Sequence, residues 1–273
     1  SVLTNSIDFD LQAKAYLSKA MVYYNVDEID KSISQYKLVI NTFQKGPYFK
    51  EALLGLQSIY VGIARVDEYI SYLNGIPQYK LSQSEQDSLS YSAAFIKFSE
   101  QEYSVSKEAF QKYITEFKDG VFIEDAYYYL ARSYYNLGDS IQTNLSYEYI
   151  VENNSTQYLE EALIHLSRAY FNAEDFLISN KYYSQLEEIV SNNSVKREVI
   201  IRLMYGFELI DTRQAVNYAQ KVLLLDKVDN WLLSKAEIII SRNDFESGNY
   251  VKARKSYRRI LNIDKNSDGA EAM

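Results

Sequence analysis

The chain of 273 residues has no cysteine, one histidine, two prolines and nine glycines. Without cysteine it has no disulfide, no thiolate nucleophile and no cysteine-ligated zinc. With His165 as its sole imidazole, histidine-based catalysis and metal binding lose their usual residues. The longest apolar runs are a few residues, such as Ile238 to Ile240, against the roughly 20 that a membrane-spanning helix needs. Cationic excess is missing too: a formal net charge of −8 disfavours a phosphate backbone as partner, so no nucleic acid is expected. No phosphate-binding loop, dinucleotide fingerprint, nucleophile elbow or paired-histidine zinc motif occurs, which points away from an enzyme and from any cofactor or metal. Ser1–Phe9 has neither an initiator methionine nor a basic stretch leading into an apolar one. The expectation is a processed chain or a piece of a longer protein.

What the chain does have is 47% apolar residues, 24% charged residues and 27 tyrosines, a folded composition in which the tyrosines need a place. Two segments give the organisation. Glu124–Asp139 and Glu160–Asp175 match at Ala126/Ala162, Leu130/Leu166, Arg132/Arg168, Tyr134/Tyr170, Asn136/Asn172 and Asp139/Asp175, always 36 apart. Extended both ways, one aromatic slot falls at Tyr23, Tyr60, Lys97, Tyr134, Tyr170, Phe207 and Asp244. A second falls at Tyr36, Leu73, Phe110, Tyr147, Tyr183, Ala219 and Tyr257. Lys97 and Asp244 break the first slot, each followed by phenylalanine. Ala219 breaks the second, in the unit that is one residue short. Turn-forming clusters such as Lys118–Gly120, Asn153–Ser155 and Asn192–Ser194 separate the units.

This pattern of large residue, leucine, small residue and tyrosine, then small residue and aromatic, resembles the tetratricopeptide (TPR) family. The resemblance implies an all-α, right-handed α-α superhelix of about seven helix–turn–helix repeats, a single solenoid over residues 1–273. The repeats run approximately 13–49, 50–86, 87–123, 124–159, 160–196, 197–233 and 234–270, with an eighth opening at 271 in Ala270-Glu-Ala-Met273. Stripes such as Tyr127, Leu130, Ala131 and Tyr134 are then core. Small residues at Ser32, Ala131 and Ser167 let neighbouring helices approach, and about half of the tyrosines are core rings. His165 falls at the surface or between helices.

In such an array, first-helix residues off the core stripe line the concave face. There the candidates for peptide binding are Tyr128, Arg132, Tyr135, Asn136, Arg168, Phe171, Asn172, Arg242 and Phe245. Arginine recurs at the ninth position of three units with an aromatic close by, an arrangement suited to gripping carboxylates. The competing expectation is that these arginines pair only with groove carboxylates such as Asp125, Glu124 or Glu161. The lysine–asparagine–arginine clamp of chaperone-binding TPR proteins is not present, with Leu17, Met21, Leu54 and Ser58 at the corresponding positions.

The function expected is a non-enzymatic scaffold that holds a peptide or protein segment. Repeat length and style resemble bacterial envelope TPR proteins, such as the C-terminal domain of the TolA-binding coordinator and the TPR lipoprotein of outer-membrane assembly. The Tyr-, Asn-, Ile- and Ser-rich composition resembles proteins of Bacteroidetes. A periplasmic or outer-membrane-associated place is favoured over a cytoplasmic one. An uncapped C-terminal face is a route to self-association. Two alternatives stand beside this: a SusD-like carbohydrate-binding lipoprotein, and a cytoplasmic TPR sensor whose effector lies outside this chain.

Overall fold

The computed structural model describes residues 9–44, 46–76 and 79–265, and all regular structure among them is helical. The chain falls into two compact units, Ser1–Thr143 and Asn144–Met273. The first holds α1 (Phe9–Asn25), α2 (Ile29–Thr42), α3 (Pro47–Gly62), α4 (Val66–Asn74), α5 (Gln83–Ser99), α6 (Tyr103–Glu116) and α7 (Ile123–Leu137). The division falls inside α8 (Ser140–Glu152). The second unit continues with α9 (Leu159–Asn172), α10 (Phe176–Ile189), α11 (Asn193–Glu208), α12 (Thr212–Val222), α13 (Asn230–Glu246) and α14 (Tyr250–Lys265). Each unit is a stack of antiparallel helical hairpins of the TPR type. The eighth helix expected from residue 271 lies outside the described residues, as does the linker proline Pro77.

The turn within each hairpin repeats in detail. Asp27, Ala64, Gln101, Gly138, Glu174 and Gly248 all take positive φ, between 56° and 78°. The next residue sends its N–H back five positions: Glu28 to Tyr23 O, Arg65 to Tyr60 O, Glu102 to Lys97 O, Asp139 to Tyr134 O, Asp175 to Tyr170 O and Asn249 to Asp244 O, at 2.7–3.0 Å. This is a Schellman closure of the first helix, and the slot named for tyrosine supplies its carbonyl. Lys97 and Asp244 are therefore tolerated there. In the sixth hairpin the Asp211 N–H reaches only four back, to Phe207 O at 2.8 Å, and a left-handed residue is dispensed with. That is the physical content of the one-residue shortening.

Just past the turn a small residue lets the two helices approach. Ser32, Ser106 and Ser179 are fully buried, and each Oγ donates to a carbonyl twelve residues back: Ala20 O at 2.7 Å, Ala94 O at 3.2 Å and Ser167 O at 3.1 Å. Thr143, Ala215 and Ala253 occupy the same register and are also buried. The second hairpin carries Tyr69 instead. It has the shortest second helix, α4, and its phenol reaches Leu53 O at 3.4 Å.

Successive hairpins meet through the second-helix aromatic. Tyr36 lies on Gly55, where a Cβ would come within 2.6 Å of the ring. Phe110 stacks on Tyr129 with centroids 6.0 Å apart, and Tyr147 sits 4.8 Å from His165. His165 is thus an inter-helix residue: its Nε2 is 3.0 Å from Asn144 Oδ1, and burial lowers its pKa. Ala219 is fully buried in the sixth hairpin, and the neighbouring Tyr218 supplies the ring, stacked on Phe207 at 5.7 Å.

Left-handed φ costs a side-chain-bearing residue about 1–2 kcal/mol, partly offset by the entropy that glycine loses on ordering. Gln101→Gly and Glu174→Gly are each expected to raise unfolding free energy by about 0.5–1 kcal/mol, and Gly138→Ala to lower it by about 1 kcal/mol. Urea midpoints of the three variants check this; a loss of stability in either glycine variant would contradict the turn geometry.

Candidate peptide-binding face

In the second unit, the first helices α9, α11 and α13 carry off-core side chains that touch from one hairpin to the next. Arg168 on α9 grips Glu198 on α11 with two hydrogen bonds, Nε to Oε1 at 2.8 Å and the terminal nitrogen to Oε2 at 2.5 Å. These bonds hold the Glu198 carboxyl below its ordinary 4.5, with burial working the other way. The Tyr183 phenol approaches the same carboxylate at 3.4 Å. Arg202, one turn along α11, lies over the Phe171 ring at 4.4 Å.

The next pair of hairpins repeats the theme with different residues. Glu208 receives Lys235 Nζ at 2.8 Å and stands 3.8 Å from Arg242. The Lys235 ammonium also lies over the Tyr205 ring at 5.8 Å, and Trp231 stacks on that ring at 6.2 Å with 22° between planes. Trp231, the only tryptophan, is 70% exposed. The Tyr205 hydroxyl is buried and has no hydrogen-bond partner among the described residues.

Of the residues expected from sequence, Arg168, Phe171 and Arg242 take part in these contacts. Arg168 is paired, with Glu198 of the following hairpin rather than with Glu161 of its own. Glu198 accepts its hydrogen bonds from Arg168, and Arg202, four residues on along the same helix, adds a weaker electrostatic attraction. Phe171 and Phe245 also clasp their turns edge-on, Phe171 against Phe176 and Phe245 against Tyr250, each at 5.3 Å. Phe98 and Tyr103 do the same at 5.6 Å. Phe245 is nonetheless 57% exposed, and Asn172 is exposed at the end of α9.

The remaining candidates lie in the first unit on α7. Tyr128 is buried, and its hydroxyl accepts from Arg132 at 2.9 Å, with the guanidinium 5.7 Å from the ring centre. Asn136 donates its amide to Arg132 O at 2.7 Å. Tyr135 is 62% exposed; Ser140 stands five residues on, where three other hairpins place the clasping ring. Sequence reasoning missed Glu198, Arg202, Tyr205, Glu208 and Trp231 as members of the face. Trp231 was passed over because α13 begins at Asn230, a turn ahead of the repeat frame. The available signal was Asp229, a helix-capping residue type directly before that start.

Among the described residues no group of three His, Cys, Asp or Glu side chains is placed to hold a metal ion, and no helix is long and apolar enough to cross a membrane.

No protein-family model matches the chain, and no curated protein does so either. Among solved structures, the C-terminal part of a TPR repeat-containing protein from Cytophaga hutchinsonii aligns with 14% identity over 93% of this chain and 97% of that one, at a TM-score of 0.41. PilF of Pseudomonas aeruginosa aligns with 9% identity over 77% and 90%, at 0.37. A tetratricopeptide repeat protein from Parabacteroides merdae aligns with 10% identity over 94% of both chains, at 0.34. The fold assignment rests on this chain's own hairpin register.

A carboxylate whose folded pKa is depressed contributes stability that is present above its unfolded pKa and is lost as pH falls through the folded value. The stability difference between the wild type and Glu198→Gln is therefore expected to hold near neutrality and to shrink as pH falls below about 4.5. Melting temperatures of both proteins across that range check the sign. A difference that grows on acidification would mean that the Arg168 pair does not form in solution.

Proposed function

We propose that this chain is a non-enzymatic interaction scaffold that holds a peptide or protein segment on the first-helix face of α9, α11 and α13. The observation that carries the reading is the residue content of that face. Trp231, Tyr205, Phe171, Arg168, Arg202 and Arg242 are the side-chain types that dominate binding energy at protein interfaces. Trp231, Arg168 and Arg242 are exposed, while Phe171 and Tyr205 are partly buried and border them. The guanidinium of Arg168 offers a bidentate grip to an incoming carboxylate in exchange for Glu198. The buried Tyr205 hydroxyl, without a partner among the described residues, favours a ligand with a polar group to share. Arg132, Tyr128, Tyr135 and Asn136 on α7 offer a further contact within the first unit. Asn172 and Phe245 extend the face at the ends of α9 and α13.

The repeat of 36–37 residues with Asn- and Ser-rich junctions supports a place in a bacterial cell-envelope assembly. The segment held would then belong to another envelope protein.

Capture from native extract, with wild type beside Arg168→Ala/Trp231→Ala, tests the site. A captured protein lost by the double variant, whose isolated segment then changes Trp231 fluorescence in titration, is the expected result. Equal retention by wild type and variant, without a fluorescence response, would move binding off this face.

A further inference from the structure

A buried carboxamide without a counterpart lies in the second unit, apart from the first-helix face. Asn180 of α10 is 4% exposed, and both atoms of its amide lack a hydrogen-bond partner among the described residues. It lines an open recess of about 240 Å³, formed with Leu177, Lys181 and Ser184 of α10, Phe207 near the end of α11 and Ile210 in the turn that follows. Leu177 is 71% exposed and Ile210 46% exposed, so the rim is apolar and reachable.

The preceding hairpin supplies an internal comparison. Asn144 follows the small residue Thr143 as Asn180 follows Ser179, so the two carboxamides share a position in the repeat. Asn144 Oδ1 is 3.0 Å from His165 Nε2 on the next first helix. Asn180 meets Gly206 on its next first helix instead, and a Cβ at Gly206 would overlap its Oδ1. A glycine inside α11 weakens that helix, and an orphaned amide bears the desolvation of a donor and an acceptor. Two unfavourable choices thus coincide beside the recess, where an apolar side chain in place of Asn180 would meet the needs of packing alone. The chemistry of the group says what it would receive. A carboxamide donates and accepts at once, so its full complement is another amide. Peptide groups inside a helix are spent on their own ladder, whereas those of an extended chain are free.

We propose that this recess binds an extended segment of a partner protein, with one aliphatic side chain against Leu177, Phe207 and Ile210 and a peptide group paired to Asn180. Rotation about its Cα–Cβ bond carries the Asn180 amide from Gly206 into the recess. None of these residues belongs to the face of α9, α11 and α13, and the proposal stands independently of that one.

The test is selection of displayed linear peptides on the intact chain, with Asn180→Leu as counter-target. Asn180→Ala serves beside it in case the longer side chain crowds Gly206. The expected peptides share an aliphatic residue and bind the Asn180 variants at least about tenfold more weakly than the wild type. Methylation of one peptide nitrogen flanking that residue weakens them to a similar degree, and so does Ile210→Glu at the exposed rim. The melting temperature of Asn180→Leu is expected to stay at or above that of the wild type, because no bond made by the amide is lost. A marked fall in both Asn180→Leu and Asn180→Ala would show that the amide is already satisfied in the seam, and would overturn the proposal. So would a selection that yields no peptide, peptides bound equally by wild type and variants, or affinity indifferent to methylation. A concentration-dependent dimer in sedimentation that Ile210→Glu abolishes would also overturn it, by giving the recess to another copy of the chain.

Discussion

Each hairpin depends on how closely its two helices can approach just after the turn. A buried serine at Ser32, Ser106 or Ser179 permits that approach, and its hydroxyl returns a hydrogen bond to the first helix at Ala20, Ala94 or Ser167. A polar group in the core is thereby satisfied, and a carbonyl that already serves its own helix accepts a second donor. Once that separation is set, the aromatic three or four residues further along must fall between this hairpin and the next. Tyr36 on Gly55 and Tyr147 on His165 are direct consequences. So is the side of each first helix left for solvent. The Tyr69 exception shows the constraint from the other side: where the small residue is lost, the second helix shrinks to nine residues.

Much of this was legible in the sequence because a repeat averages out local noise. The small-residue and aromatic slots carry side-chain information at a fixed period, and the hairpins follow them. What the pattern could not show was work done by the backbone. At Lys97 and Asp244 the tyrosine slot looked broken, yet its constant contribution is a carbonyl that closes the turn, which any residue supplies. In three units the first helix begins about a turn ahead of the approximate repeat boundary, at Gln83, Asn193 and Asn230. Ser82 with Glu85 forms a complete capping box, and Asn192 caps α11.

The candidate face was legible as a set of positions and illegible as a set of partners. The ninth-position arginines stood out because they recur, but their contacts come from residues about 30 positions away. The carboxylates expected to meet these arginines were Asp125, Glu124 and Glu161; the stacking of hairpins gives Arg168 to Glu198 instead. Arg202 is left to the Phe171 ring. The i, i+5 pairing of Phe171 with Phe176 and Phe245 with Tyr250 gives the same rings a structural duty in the turns.

The many tyrosines connect these observations. At the seams between hairpins their hydroxyls are met by a side chain of the preceding second helix. Gln111 donates to Tyr134 at 2.7 Å, Tyr170 donates to Glu148 at 2.7 Å, and Tyr218 donates to Glu187 at 2.6 Å. Burial raises the Tyr218 pKa, and the bonded carboxylate raises it further. For Tyr170 the bond to Glu148 is the larger cause, and its pKa rises to about 12. Rings so placed are packed between hairpins, with the polar end satisfied at these three seams. Tyr205 departs from that rule: it lies on the first-helix face, under Trp231 and Lys235, and its buried hydroxyl finds no partner among the described residues. Asn180 in the packed seam between α10 and α11 likewise has both amide atoms without a partner among the described residues, so an orphaned polar atom by itself does not set the face apart.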